Sequence, residues 1–246
     1  MTSPADADLA RRLTETERDQ SFANVRPKDA STLILIDRAT KVPKVLLGRR
    51  NGAAKFMPGK FVFPGGRVEK PDRLAAIASP LDPEVEAHLM RRVQRPTADK
   101  ARALALAAIR ETFEETGLLI GRHRETPPIP GGPDPFAATG IYPDLAALRF
   151  VARAITPPRR PRRFDTRFFA ADAETIAHRV DGIIGPDAEL VELVWLPITD
   201  AQHLDMPTIT RVVLEELQAR IAAGFAPELP VPFYRMLNRK FRREVL

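Results

Sequence analysis

The chain has 246 residues and is 44% hydrophobic, which suits one large α/β domain or a domain that carries an insertion. It contains no cysteine, so disulfides, thiolate metal sites and cysteine nucleophiles are excluded. The net charge of +6 and the pI of about 10.0 are compatible with nucleotides, nucleic acids or anionic membranes. Residues 1–20 lack the apolar core of a secretory signal, and no apolar stretch would span a bilayer. We therefore expect a cytoplasmic protein with no membrane partner.

The first part of the chain contains three apolar runs that are typical of strands. Before them, residues 1–28 form a charged arm with room for one short helix. The runs are residues 31–37, 44–49 and 61–63. The short interval between the first two contains Pro43 and predicts a hairpin. The third run ends in Pro64-Gly65-Gly66, a sharp turn that lets the backbone approach a ligand closely.

The rest of the chain mixes helical and strand patterns. Residues 98–116 are rich in Ala and Leu without internal Gly or Pro, and they predict the strongest helix, with Gly117 as its C-cap. Residues 122–144 are rich in Pro and Gly and predict a loop whose length suits a lid or substrate loop. The further predictions are a helical pattern at 83–93, strands at 147–155, 164–171 and 190–196, an amphipathic helix at 208–223, and an irregular basic tail from 227.

Three glutamates cluster at the end of the strongest helix. Glu111, Glu114 and Glu115 stand at i, i+3 and i+4, so they point to one side of it. Like charges at this spacing cost roughly 0.2–0.5 kcal/mol per pair, and the helix dipole disfavours each anion by about 0.3–1 kcal/mol. A cation would reverse both penalties. Carboxylates without His or Cys suit Mg²⁺ or Mn²⁺, which also bind phosphate oxygens and can supply an attacking water.

An acidic triplet on its own is more often an exposed helix face whose charges are balanced by nearby cations, here by Arg110. The neighbouring residues favour the metal site. The segment resembles the Nudix box, G-x5-E-x7-R-E-U-x-E-E-x-G-U with U apolar, at Arg110, Glu111, Glu114, Glu115, Gly117 and Leu118. Upstream, Phe63-Pro64-Gly65-Gly66 matches the usual opening of that box.

The sequence departs from the Nudix pattern at two places. Thr112 replaces the usual apolar residue. Residues 73–109 stand where the pattern has only seven residues, so an insertion splits the box. Asp72 then falls where the family usually has Glu, with an alignment that the insertion makes uncertain. We predict that about residues 73–96 loop out as a helical excursion beside the site, which lets the turn and the helix meet.

The Nudix resemblance implies an α/β/α sandwich with a mixed central sheet over residues 29–226, followed by a basic tail at 227–246. It also implies that Glu114 and Glu115 bind Mg²⁺, with Glu111 as a further ligand or base. A backbone carbonyl at Gly65 or Gly66 would complete the site. Arg110 would brace the acidic side chains, and the family's habit implies a homodimer.

The resemblance narrows to the peroxisomal coenzyme A diphosphatase branch, which also carries an insertion within its box. The similar segments are residues 46–50, 56–66 and 162–169. Coenzyme A carries a diphosphate and a 3′-phosphate, and Arg binds phosphate in a bidentate manner. Candidate contacts are Arg49, Arg50 and Arg162, although the turn at 159–163 is equally compatible with a solvated turn. Glu189, at a loop edge, is the candidate for a further catalytic carboxylate, with an ordinary surface acid as the alternative.

Two other functions remain open from the sequence. An ADP-ribose or NADH pyrophosphatase would use the same fold and the same metal chemistry. A nucleic-acid-binding protein on a non-catalytic Nudix fold would suit the basic pI, and RNA decapping would combine both ideas. The intact glutamates and the lack of a basic stripe with interleaved aromatic residues argue against nucleic acid as the partner. A nucleotide-containing small molecule is the substrate that we expect.

Overall fold

The computed structural model describes residues 4–124, 139–226 and 228–246. Its helices are α1 (Pro4–Glu15), α2 (Pro83–Met90), α3 (Ala98–Thr116), α4 (Ile198–Ala201) and α5 (Thr208–Ala222). Its strands are β1 (Lys28–Asp37), β2 (Lys44–Arg50), β3 (Phe61–Val62), β4 (Gly65–Arg67), β5 (Leu118–Ile120), β6 (Arg122–His123), β7 (Ile141–Tyr142), β8 (Arg149–Ile155), β9 (Phe164–Asp172), β10 (Ile176–Arg179), β11 (Leu190–Pro197), β12 (Pro232–Leu237) and β13 (Lys240–Val245).

A mixed nine-stranded sheet forms the centre of the molecule. Its order is β11-β2-β1-β9-β8-β12-β13, with β3 beside β2 and β4 beside β1. The β1–β9 and β8–β12 pairs are parallel, and the other pairs are antiparallel. The predicted hairpin is confirmed, because β1 and β2 pair antiparallel from Ile36 opposite Val45.

Helices cover both faces of this sheet. One buried cluster packs residues of α2 and α3 against one face, and a second packs α1 and α5 against the other. Side chains alternate along a strand, so Leu46 of β2 lies in the first cluster and Leu47 in the second. The predicted α/β/α sandwich is therefore confirmed. No helix within the described ranges is both long and apolar enough to cross a membrane.

Helix α3 has the predicted bounds because both of its ends are capped. The Thr97 side chain accepts a hydrogen bond from the backbone N–H of Lys100 at 3.1 Å. At the other end Gly117 adopts a left-handed conformation with φ 76°, which glycine takes without strain. Thr112, where the Nudix pattern has an apolar residue, is buried and donates its hydroxyl to the Ala108 carbonyl oxygen at 2.7 Å. Its polar atom is thereby satisfied inside the helix.

The insertion contains a helix, as predicted, and several of its apolar side chains also pack into the core. Asp82 caps α2, accepting hydrogen bonds from the backbone N–H groups of Glu84 and Val85. Four apolar side chains of the segment are buried in the cluster under α3: Ala75, Leu81, Val85 and Leu89. The insertion therefore forms part of the core as well as joining the two halves of the box.

The prediction of an irregular tail is wrong, because residues 232–245 form the hairpin of β12 and β13 at the sheet edge. Residues 1–28 contain the predicted short helix, and its Leu9 and Leu13 are buried in the same cluster as Tyr234 and Phe241. Residues before the predicted boundary at 28 and after the one at 227 therefore pack into the same core as the central domain. Most of the predicted loop at 122–144 lies outside the described residues, and its two ends pair as β6 and β7.

Candidate active site

The two halves of the split box meet at the carboxyl end of α3. The backbone N–H of Gly65 donates a hydrogen bond to the Glu115 carboxylate at 3.0 Å, although the residues are 50 positions apart. Gly65 and Gly66 lie in β4, opposite Thr32 and Ser31 of β1. The structure therefore brings the predicted glycine turn and the predicted acidic helix end together.

Gly66 lies in direct contact with Glu111. A Cβ atom at Gly66 would stand 2.4 Å from the carboxylate atoms of Glu111, closer than any real contact allows. At Gly65 a Cβ atom would meet the Ser31 carbonyl oxygen at 2.5 Å. A side chain at Gly65 would thus clash with the backbone of the neighbouring strand, and a side chain at Gly66 would displace the Glu111 carboxylate.

Arg110 braces the acidic groups, as the resemblance implied. Its Nη1 donates to Glu111 at 3.0 Å and to Glu114 at 2.9 Å. Its Nε donates to Asp72 at 2.8 Å, and its Nη2 donates to the Arg67 carbonyl oxygen at 2.9 Å. Asp72 is buried and also accepts from the backbone N–H of Glu69 at 2.7 Å. The sequence left the alignment of Asp72 uncertain. In the structure its carboxylate holds Arg110, and Arg110 in turn orients the acidic groups of the site.

Glu115 is a buried carboxyl group in an unfavourable electrostatic environment. Burial is the largest cause that raises its pKa, which reaches about 8. The charges of Glu189 and Glu111 act in the same direction. The Gly65 hydrogen bond and the charge of Arg50 lower the pKa, but they do not balance the burial. Burial likewise raises the pKa of Glu111. A cation near these two carboxyl groups would favour their ionised forms.

An open cleft of about 440 Å³ contains three of the predicted site residues, Arg50, Arg162 and Glu189. Arg50 Nη2 lies 3.0 Å from Glu189, and its Nε donates to the Phe56 carbonyl oxygen at 3.0 Å. The charges of Arg50 and Glu189 both reach Glu115, so the cleft adjoins the acidic helix end. A substrate in this cleft would lie beside cationic groups and next to the carboxylates.

The comparison with solved structures identifies the family. The crystal structure of a NUDIX hydrolase from Alicyclobacillus acidocaldarius is 31% identical in sequence and superimposes with a TM-score of 0.59. The match covers 81% of this chain and 96% of that one. The chain belongs to the Nudix hydrolase superfamily. No family model matches it.

Curated relatives point to one branch of this superfamily. The chain is 29% identical over 184 residues to the acyl-coenzyme A diphosphatase NUDT19 of Gallus gallus, covering 54% of this chain and 49% of the relative. It is 31% identical over 129 residues to the protein of that name from Homo sapiens, covering 43% of this chain and 34% of the relative. The chain thus spans half or less of the length of these relatives.

The donor set of the Nudix box suits a hard cation. All side chains at the predicted metal site are carboxylates, and the missing Cβ of Gly66 gives Glu111 a place against the backbone. Within the described residues, no three acidic or histidine side chains form a ready cluster. Glu114 instead contacts Arg110, with about half of its side chain exposed, so it can turn toward a cation without disturbing the core. The ligand set of Glu111, Glu114, Glu115 and Gly66 stays a prediction.

Arg49 does not join this site. It has the same parity along β2 as Leu47, so its side chain lies on the opposite face of the sheet from Arg50. There it forms an ion pair with Glu192 at 2.7 Å. The geometry gives no support to Arg49 as a substrate-binding residue.

The sequence interpretation did not assign Lys55 and Phe56, although both line the cleft. Phe56 packs edge-on against Phe164 at 6.3 Å between ring centroids. Their position in the sequence could have indicated this, since residues 51–60 join β2 to β3 and must pass beside the end of β2 that carries Arg50.

Proposed function

We propose that this protein hydrolyses a phosphoanhydride bond in a nucleoside diphosphate-linked compound with Mg²⁺ or Mn²⁺ as cofactor. The observation that carries the proposal is the contact of Gly65 with Glu115 and of Gly66 with Glu111, which completes a split Nudix box. The substrate that we propose is coenzyme A or acyl-coenzyme A. The products are then 3′,5′-ADP and 4′-phosphopantetheine, free or acylated.

The metal would be held by Glu111, Glu114 and Glu115 with the Gly66 carbonyl oxygen. When bound, it would offset charge on the diphosphate and lower the pKa of an attacking water. Burial of Glu115 suits this role, because a cation would favour the ionised form that burial alone opposes. Arg110 keeps two of the acidic side chains oriented through its hydrogen bonds. Its role is to position these groups, while the carboxylates perform the chemistry.

The cleft supports binding of the phosphates beside that centre. Arg50 is mostly buried, with 15% of its side chain exposed, and its contacts with Phe56 and Glu189 fix its orientation. Arg162 lines the same cleft and is exposed. We assign Arg50 to the diphosphate and Arg162 to the 3′-phosphate, since a guanidinium group binds phosphate oxygens in pairs. We assign Glu189 as the group that accepts a proton from the attacking water; its position in the cleft and the effect of its charge on Glu115 support this role.

The branch assignment is supported by the acyl-coenzyme A diphosphatase relatives. Because these matches cover only part of each protein, the substrate needs a direct test. A hydrolysis panel with Mg²⁺ would contain coenzyme A, acyl-coenzyme A, dephospho-coenzyme A, ADP-ribose, NADH and capped RNA. If ADP-ribose has a kcat/KM tenfold above that of both coenzyme A forms, the coenzyme A assignment is wrong.

The 3′-phosphate contact can be tested separately with arginine variants. One charge-assisted contact contributes about 1.5–3 kcal/mol, or roughly 10- to 150-fold in kcat/KM for coenzyme A over its dephospho form. We expect Arg162→Ala to remove this preference. Arg49→Ala is the matched control, because its side chain lies on the other face of the sheet and should leave the preference unchanged. Equal hydrolysis of both substrates by the wild type would mean that no 3′-phosphate site exists.

A further inference from the structure

Three residues on neighbouring strands form one row beneath α3. Ser31 of β1 is the register partner of Gly66 in β4 and of Arg167 in β9. Side chains of register partners point to the same face of a sheet. That face is the one covered by α3, because Leu33 and Phe169, two residues further along β1 and β9, lie in the cluster with α3. Gly66, Ser31 and Arg167 therefore stand side by side under this helix.

The row contains buried polar atoms without partners. Ser31 is completely buried, and its Oγ has no hydrogen-bond partner among the described residues. Arg167 is 1% exposed, and its Nε and Nη2 also lack partners there. In the described part of the chain only its Nη1 is engaged, at 2.8 Å to both Asp29 Oδ1 and the Asp165 carbonyl oxygen. Buried polar groups are usually hydrogen-bonded, so free atoms at adjacent positions call for a functional explanation.

The carboxylate of Glu111 lies against Gly66, at the end of the row opposite Arg167. This carboxylate occupies the place that a side chain at Gly66 would take, within 2.4 Å of the ideal Cβ position. Ser31 is the next residue along the row, so its hydroxyl lies on the same face as this carboxylate. A hydroxyl can accept one hydrogen bond while it donates another. Ser31 can thus link a cationic donor on one side to an acidic acceptor on the other.

We propose that Ser31 is a positioning residue for Glu111, with Arg167 as its support. Ser31 Oγ has no direct partner among the described residues, so the link runs through bound water on both sides. One water joins the Arg167 guanidinium to Ser31 Oγ, and another joins the Ser31 hydroxyl to the Glu111 carboxylate. This link fixes the Glu111 carboxylate against the backbone of Gly66. Arg110 also donates to Glu111 at 3.0 Å, so the two contacts together set the orientation of this carboxylate. The inference rests on the proposed diphosphatase function.

The test compares Ser31→Ala with the wild type in kinetics, thermal unfolding and calorimetric titration of Mg²⁺. We expect kcat to fall about tenfold, the effect of losing one hydrogen bond to a charged group, with KM for coenzyme A unchanged. Mg²⁺ should bind several-fold more weakly. The Tm should stay near the wild-type value, since the variant breaks no direct hydrogen bond between described residues and changes the buried volume little. Thr210→Ala is the matched control, a buried threonine of α5 on the other side of the sheet, and should alter neither kcat nor Mg²⁺ affinity.

A double-mutant cycle with Arg167→Lys tests the support. If Arg167 acts through Ser31, the lysine substitution lowers kcat in the wild-type background and adds no further loss to Ser31→Ala. If the wild type is active and Ser31→Ala stays within twofold of it in both kcat and Mg²⁺ affinity, this inference is wrong while the proposed function stands. Fully additive losses would overturn the role of Arg167. A wild type without diphosphatase activity on any substrate of the panel would overturn the proposed function and this inference together.

Discussion

The backbone N–H of Gly65 and the carboxylate of Glu115 are joined by a hydrogen bond of 3.0 Å that spans the whole insertion. The bond connects β4 directly to the end of α3, so the intervening segment leaves the two halves of the Nudix box in contact. Among the described residues, no further backbone N–H donates to Glu115. The insertion is therefore compatible with an intact acidic site.

Gly66→Ala should disable the site while leaving the fold intact. The new Cβ would stand 2.4 Å from the Glu111 carboxylate, which must move away. A displacement of about 1 Å in a catalytic group costs roughly 100-fold in rate, so we expect a fall in kcat of that order. Gly52→Ala is the control, because nothing lies within 4 Å of its Cβ position. Equal turnover of both variants would contradict the contact between Gly66 and Glu111.

The stability of the metal-free protein should fall as the pH rises from about 4.5 to about 8. The pKa of Glu115 is raised from 4.5 to about 8, mainly by burial, so between these values the folded state binds more protons than the unfolded state. Stability then decreases with pH across that window. Thermal unfolding in EDTA at pH 5.5, 7 and 8.5 would measure this effect. Glu115→Gln should flatten the dependence, and saturating Mg²⁺ should raise the wild-type Tm most at the highest pH. A wild-type Tm that rises with pH in EDTA would contradict the assignment.

Asp72→Ala should destabilise the protein through Arg110. The two side chains are 2% and 12% exposed and lie 2.8 Å apart, and removing one partner of a buried pair costs about 3–5 kcal/mol. For a domain of this size, the lower end corresponds to a Tm lowered by roughly 6–12 °C. Asp181→Ala removes an exposed ion pair with Arg179 and should have no measurable effect. Equal Tm values for the two variants would show that Asp72 does not support the site.

Much of the fold could be predicted from local sequence. The sequence predicts helix α3 at 98–116 with Gly117 as its C-cap, because its composition and its capping residues agree. The tail hairpin was missed because the alternation in β12 and β13 is obscured by five basic residues in and between the strands. Its turn at Asn238 and Arg239, with φ of 49° and 63°, involves one residue type that rarely adopts this conformation. A charged hairpin at a sheet edge therefore resembles an irregular basic tail.

The candidate site could be predicted only in part. Local spacing predicted the acidic triplet and its brace, because those residues share one helix. The structure of the sheet was needed to tell which of Arg49 and Arg50 faces the candidate site. Their opposite orientation follows from strand geometry, but which face α3 covers depends on packing between distant segments. The partnership of Asp72 with Arg110 likewise depends on the course of the insertion.

The most direct test of the account is the Mg²⁺-dependent turnover of coenzyme A by the wild type and by Glu115→Gln. We predict 3′,5′-ADP and 4′-phosphopantetheine as wild-type products, and a kcat at least about 100-fold lower in the variant, because the site loses a proposed metal ligand. The variant should remain folded, since it removes a buried charge. Glu192→Gln, on the other face of the sheet, should retain wild-type turnover. Near-normal turnover by folded Glu115→Gln at saturating Mg²⁺ would contradict the central claim.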